Sequence, residues 1–154
     1  MIRNATITLL ISLFFLMSIV QGQTFTAVTP SNHTVYFQIV NGAAEATFKT
    51  YGMPNYGSSI VGTLIIPDSV EYYGTWYPVT SIGYEAFHHS YYVDTVILPT
   101  TITEIKQEAF SACSNLASVA IPNSVTTLGW CSFCACHNLS DLTIGESVTT
   151  IGKQ

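Results

Sequence analysis

A phenylalanine returns every 23 residues in the second half of this chain. Phe87, Phe110 and Phe133 keep that interval, as do Ile82, Ile105, Leu128 and Ile151, and Thr80, Thr103, Thr126 and Thr149. Three units follow, IGYEAFHHSYYVDTVILPTTITE (82–104), IKQEAFSACSNLASVAIPNSVTT (105–127) and LGWCSFCACHNLSDLTIGESVTT (128–150), then a stub, IGKQ (151–154). No unit this short can bury its own apolar face, so the apolar columns must be covered by the units before and after. The periodicity therefore demands a stack.

Within each unit one stretch alternates: Val93-x-x-Val96-x-Leu98, Leu116-x-x-Val119-x-Ile121 and Leu139-x-x-Leu142-x-Ile144. This spacing predicts a short strand that turns every second residue inward. A 23-residue unit with such an L-x-x-L-x-L core falls in the leucine-rich-repeat range. The expected fold is a leucine-rich-repeat solenoid, mainly β, with short irregular or helical turns.

Laid out in columns, the chain resembles the BspA-type leucine-rich repeats of bacterial and protist surface proteins. Their unit reads approximately IG-x-x-AF-x-x-C-x-x-L-x-x-V-x-IP-x-SVT, and 105–127 follow it almost throughout. Upstream, VGTLIIPDSV (61–70) aligns with the strand of the first full unit at an offset of 32, which is 23 plus nine inserted residues. The insertion, within VEYYGTWYPVTSIG (70–83), looks like the hairpin that opens such arrays, and Gly74 supplies its tight turn. Farther upstream, HTVYFQIV (33–40) and AEATFKTY (44–51) read as two strands around Asn41-Gly42, a hairpin that caps the first rung. The reading divides the chain into an N-terminal β cap region (23–60) and an array (61–154) with the hairpin insertion at 70–79. Some positions depart from the pattern. Tyr73 stands in place of the turn Asn, Lys106 where Gly83, Gly129 and Gly152 stand, and His88-His89-Ser90 in place of Ser-Gly-Cys.

Residues 1–22 read differently. Met1, Ile2 and Arg3 make a short positive start, Ala5 to Val20 run apolar, and Val20-Gln21-Gly22 suits a cleavage site, so a secretory signal peptide is expected. Sixteen residues fall short of the roughly 20 needed to span a bilayer. The chain stops four residues into another rung, consistent with a short secreted module or with a piece of a longer repeat protein.

Composition narrows the function classes. A chain 48% hydrophobic and 8% charged is built to fold. Four Lys and Arg against nine Asp and Glu, with no basic cluster, argue against a nucleic-acid partner. No G-x-S-x-G, phosphate-binding loop or H-E-x-x-H is present, so catalysis finds no motif. Asp94 and Asp141 fall at outward strand positions, and His33, His88, His89 and His137 in loops or strand ends where solvation is expected.

The stretch WCSFCACH (130–137) raises the question of a thiol or metal site built from Cys131, Cys134 and Cys136. Cys136 shares its column with Cys113 and Ser90 and should face inward, whereas Cys131 shares the solvated column of Glu85 and Glu108. On this reading the columns diverge, the spacing fits no common ligand pattern, and no metal or other cofactor is expected. Cys113 and Cys136, one rung apart, suit a disulfide or two buried thiols, and Cys131 and Cys134 suit a local disulfide. The pairing stays open.

Binding is the class that remains. The outward columns Thr63, Thr95, Ser118, Asp141 and Ile65, Ile97, Ala120, Thr143 form the candidate face, small and mostly neutral. A second candidate is the group Tyr72, Tyr73, Trp76 and Tyr77: alternation turns Tyr72 and Tyr77 inward and leaves Tyr73 and Trp76 as exposed aromatics, although packing of the whole group as a lid on the first rung is the preferred reading. The resemblance implies a secreted or cell-surface module that binds a protein or glycan on a host, matrix or neighbouring cell. A structural spacer or repeat fragment without a ligand is the alternative. Two N-x-S/T sequons, at Asn32 and Asn138, would matter only in a host that glycosylates them.

Overall fold

A computed structural model describes residues 24–47 and 59–152. The expected signal peptide (1–22) and the end of the second cap strand (48–51) lie outside the described residues. Three antiparallel strands come first: β1 (Thr24–Val28), β2 (Thr34–Val40) and β3 (Ala43–Thr47). The first of these was not foreseen, because TFTAV has only Phe25 to mark its inward face. At the β2–β3 turn Asn41 and Gly42 have φ of 52° and 81°, the pair of positive values that a two-residue turn between twisted strands requires.

The array begins with β4 (Gly62–Ile65), followed by the inserted hairpin of β5 (Ser69–Tyr72) and β6 (Thr75–Ile82). Tyr73 and Gly74 close it at φ 48° and 76°, so tyrosine does occupy the left-handed turn position that asparagine holds more readily. Three rungs follow, each supplying one longer and one two-residue strand: β7 (Val93–Ile97) with β8 (Glu104–Ile105), β9 (Ser118–Ile121) with β10 (Thr127–Leu128), and β11 (Asp141–Ile144) with β12 (Thr150–Ile151).

Two sheets run along the stack. One is parallel throughout, in the order β11, β9, β7, β4; the other continues the cap through β3, β6, β8, β10 and β12. Register is set by the 23-residue period, with Thr127 opposite Glu104 and Thr150, and Val119 opposite Val96 and Leu142. The turns stack as well. Glu85, Phe87 and His89 donate their backbone N–H to the carbonyls of Gln107, Ala109 and Ser111 one rung on, and Glu108, Phe110 and Ala112 repeat this toward Trp130, Ser132 and Cys134. The described residues carry no helix, so the turns are irregular rather than helical. Their polar groups find partners across rungs because Glu85, Glu108 and Cys131, and then His89, Ala112 and Ala135, all take φ of 50° to 61°.

The core is the set of apolar columns. Phe87 lies parallel to Phe110 at 5.2 Å between ring centroids, and Phe110 to Phe133 at 5.4 Å. Gly129 allows the backbones to close, since a Cβ there would meet the Gln107 nitrogen at 2.2 Å. The last rung behaves differently. Leu142 and Ile144, inward by column, are 43% and 44% exposed, because no described rung covers them.

Candidate binding surface

The outward columns are brought together in register. Thr63 faces Thr95, Thr95 faces Ser118 and Ser118 faces Asp141, while beside them run Ile65, Ile97, Ala120 and Thr143. Each inward neighbour, Leu64, Val96 and Val119, is buried, so alternation leaves these residues on the open side of β4, β7, β9 and β11. Ser118 donates its hydroxyl to the Asp141 carboxylate at 3.1 Å, which makes that aspartate part of a short polar ladder. The eight positions carry one carboxylate and no cation, and Asp94 is exposed beside them on β7.

The aromatic group divides. Tyr72 stacks on Phe25 of β1 at 4.3 Å, and Tyr72 and Tyr77 pack against the core. Burial, then the neighbouring Tyr73 and Tyr77, push the Tyr72 phenol above its ordinary value. Trp76 is 66% exposed and Tyr73 81% exposed, with Tyr73 edge-on to Tyr72. Tyr72 and Tyr77 therefore pack inward, whereas Tyr73 and Trp76 stand on the tip and outer face of the β5–β6 hairpin, which meet no further layer among the described residues.

The cysteines also require a correction. Cys131 and Cys134 do not diverge: they form a disulfide with 4.7 Å between Cα atoms. Left-handed Cys131 folds the turn back on itself, a conformation that column spacing alone does not disclose. Cys113 and Cys136 are free thiols on the inner side. They repeat one arrangement, Cys113 Sγ donating to the Phe87 carbonyl at 3.2 Å and Cys136 Sγ to the Phe110 carbonyl at 3.1 Å. Hydrogen-bond contact with Cys136, then burial, push the Cys113 thiol far up, and the same contact draws Cys136 down. With Cys131 and Cys134 bonded to each other, the three-cysteine metal set cannot assemble.

Three of the four histidines expected to be solvated, His33, His88 and His89, are engaged, while His137 is exposed. His33 shares a hydrogen bond with Ser31 at 3.0 Å through Nδ1 and with the Val61 carbonyl at 3.2 Å through Nε2, tying the β1–β2 loop to the first rung. His88 and His89 stack at 3.9 Å, and His89 Nδ1 lies 2.7 Å from the Tyr91 hydroxyl. Burial first, and His89 second, lower the His88 pKa, against the opposing pull of Glu85 and Glu108.

One group was missed altogether. Glu45 on β3 is 4% exposed, and it accepts from Gln38 Nε2 and from Ser81 Oγ, both at 2.8 Å, while Lys106 Nζ pairs with it. This explains why lysine stands in a glycine column: Lys106 reaches back across the first rung to a carboxylate in the cap. The sequence signal was that one irregularity, and nothing marked Glu45 as its partner.

The geometry defines a short leucine-rich-repeat solenoid with a β cap. Residues 56–154 match the BspA type leucine rich repeat region, and the chain belongs to that family. Among solved structures, a leucine-rich repeat protein from Bacteroides ovatus is similar at 30% identity and a TM-score of 0.66, over 77% of this chain and 30% of its own. A leucine rich cell surface protein from Faecalibacterium prausnitzii shows 30% identity and a TM-score of 0.64, over 82% of this chain and 32% of its own. The Treponema pallidum leucine rich repeat protein shares the fold at 20% identity and a TM-score of 0.59, over 84% of this chain and 50% of its own. The chain thus spans about a third of the first two. No curated protein matches it.

Proposed function

We propose that the chain is a secreted or cell-surface interaction module that binds a protein or glycan of a host, matrix or neighbouring cell, without catalysis. The observation that carries this reading is the in-register open face of β4, β7, β9 and β11, on which small side chains leave the backbone surface accessible to a partner. The surface location of the similar Faecalibacterium protein supports it, as does the leader-like composition of residues 1–22. No helix among the described residues is long and apolar enough to cross a membrane. We read residues 23–60 as the cap region and 61–154 as the array that presents the face.

The test is binding of the purified chain to an array of matrix proteins, glycans and whole cells, repeated with Thr95→Arg and Ser118→Arg. Loss of binding in both variants at unchanged melting temperature supports the face. Binding that survives both but is lost in Trp76→Ala moves the site to the hairpin tip, where Tyr73 and Trp76 are exposed. No binding on any surface favours the spacer reading. A thiol function ranks last, because Cys136 is the one cysteine of its trio left unbonded.

A further inference from the structure

The turns between the strands carry a different chemistry. Glu85 and His88 of the first full rung and Glu108 of the second each bring one ligand atom to within 4.8 Å of the others. We propose that Glu85, His88 and Glu108 form a binding site for a borderline divalent transition-metal ion, of which zinc is the representative, held between two adjacent rungs.

The argument starts from the repeat. Glu85 and Glu108 occupy one column 23 residues apart, and both take the left-handed backbone, at φ 50° and 55°. Identical backbone at stacked positions sends both carboxylates off the solenoid side by side. His88 comes from the column three residues later. The third rung shows independently that these two columns meet, because there they hold Cys131 and Cys134, which are close enough to be bonded to each other. Where the third rung joins the columns through sulfur, the first two place an imidazole and two carboxylates.

The positions are also held. Glu85 N–H donates to the Gln107 carbonyl at 3.1 Å, Phe87 N–H to Ala109 at 2.7 Å and His89 N–H to Ser111 at 3.0 Å, so the two turns that supply the ligands are laced together on both sides of His88. Gln107 Nε2 donates to Glu108 Oε1 at 3.1 Å, and the His88 ring is stacked on His89, whose Nδ1 lies against the Tyr91 hydroxyl. Such outer contacts orient metal ligands. All three residues are half-buried.

The donor set selects the ion. One imidazole nitrogen and two carboxylate oxygens suit zinc, cobalt or nickel, whereas calcium prefers six to eight oxygens and magnesium keeps its waters. Three protein ligands leave a fourth tetrahedral position for water or a partner's donor. A bound ion would screen the two carboxylates from each other and pin one rung to the next.

The experiment uses the whole chain, stripped with chelator and titrated calorimetrically with zinc, with cobalt as the spectroscopic probe. The expected result is one equivalent bound, no response to calcium, and an affinity lowered by about tenfold or more in His88→Ala and in Glu108→Gln. His137→Ala and the double variant Cys113→Ser/Cys136→Ser should bind as the parent does, and circular dichroism confirms that each variant is folded. The proposal is overturned if zinc does not bind at ~100 μM, if His88→Ala binds unchanged, or if the cobalt spectrum carries a sulfur charge-transfer band, which would move the ion to Cys113 and Cys136.

Discussion

Rungs 105–127 and 128–150 carry the same apolar columns, yet only one of them is buried. Val119 and Ile121 are each 2% exposed, while their counterparts Leu142 and Ile144 stand half open. Strand length, register and backbone bonding are alike: β9 and β11 pair residue for residue, and Ser140 and Asp141 donate to Ala117 as Ala117 donates to Asp94. What differs is the neighbour. In a solenoid, burial belongs to the interface between units, so an identical residue contributes different stability at different rungs.

The largest effect that tests this comparison is in the phenylalanine column. Phe110→Ala, which removes a ring stacked on both sides, should cost about 3–5 kcal/mol of unfolding free energy, and Phe133→Ala, stacked on one side, about half of that. Denaturant titration of the two variants checks it. Equal losses would mean that something covers the last rung, for example a second copy of the chain.

Next in size is the joint between cap and array. Glu45→Ala leaves Gln38, Ser81 and Lys106 without their shared acceptor and should cost about 2–3 kcal/mol. The loss should come mainly from the buried hydrogen bonds, since the Lys106 side chain is 34% exposed. Hydrogen exchange gives the sharper reading: amides of β3 and β6 should speed up while those of β9 keep their protection. A uniform loss would mean that cap and rungs unfold as one unit.

The disulfide in the open rung should matter less. It spans a separation of three residues, and so short a loop constrains the unfolded chain by about 2 kcal/mol at most. Cys131→Ser/Cys134→Ser, followed by thermal unfolding against the parent, measures it. Smallest of all is Trp76→Ala, which should shift stability by less than about 0.5 kcal/mol because the side chain is 66% exposed. A larger drop would restore the lid reading for that residue.

Much of this was legible beforehand because repetition averages out local ambiguity. A single Val-x-Leu is compatible with any strand, but the same spacing three times at one interval fixes strand, register and inward face together. Both two-residue turns were readable for a similar reason, since Asn41-Gly42 and Gly74 announce backbone that few residues adopt. Signals without repetition were lost. β1 has no counterpart among the described strands, Glu45 looks like any strand glutamate, and the convergence of Glu85, His88 and Glu108 depends on a left-handed backbone at positions held by glutamate.

The period, the columns that face inward and the existence of a stack follow from the order of residues alone, because a 23-residue unit with one apolar face has no other way to exclude water from it. It takes the folded chain to show which columns are covered, that Lys106 crosses to Glu45, that Cys131 pairs with Cys134 while Cys113 and Cys136 stay free, and that two carboxylates and an imidazole share one edge. These depend on distances between residues 3 to 61 apart in the chain, set by turn conformation and by how closely one rung sits on the next.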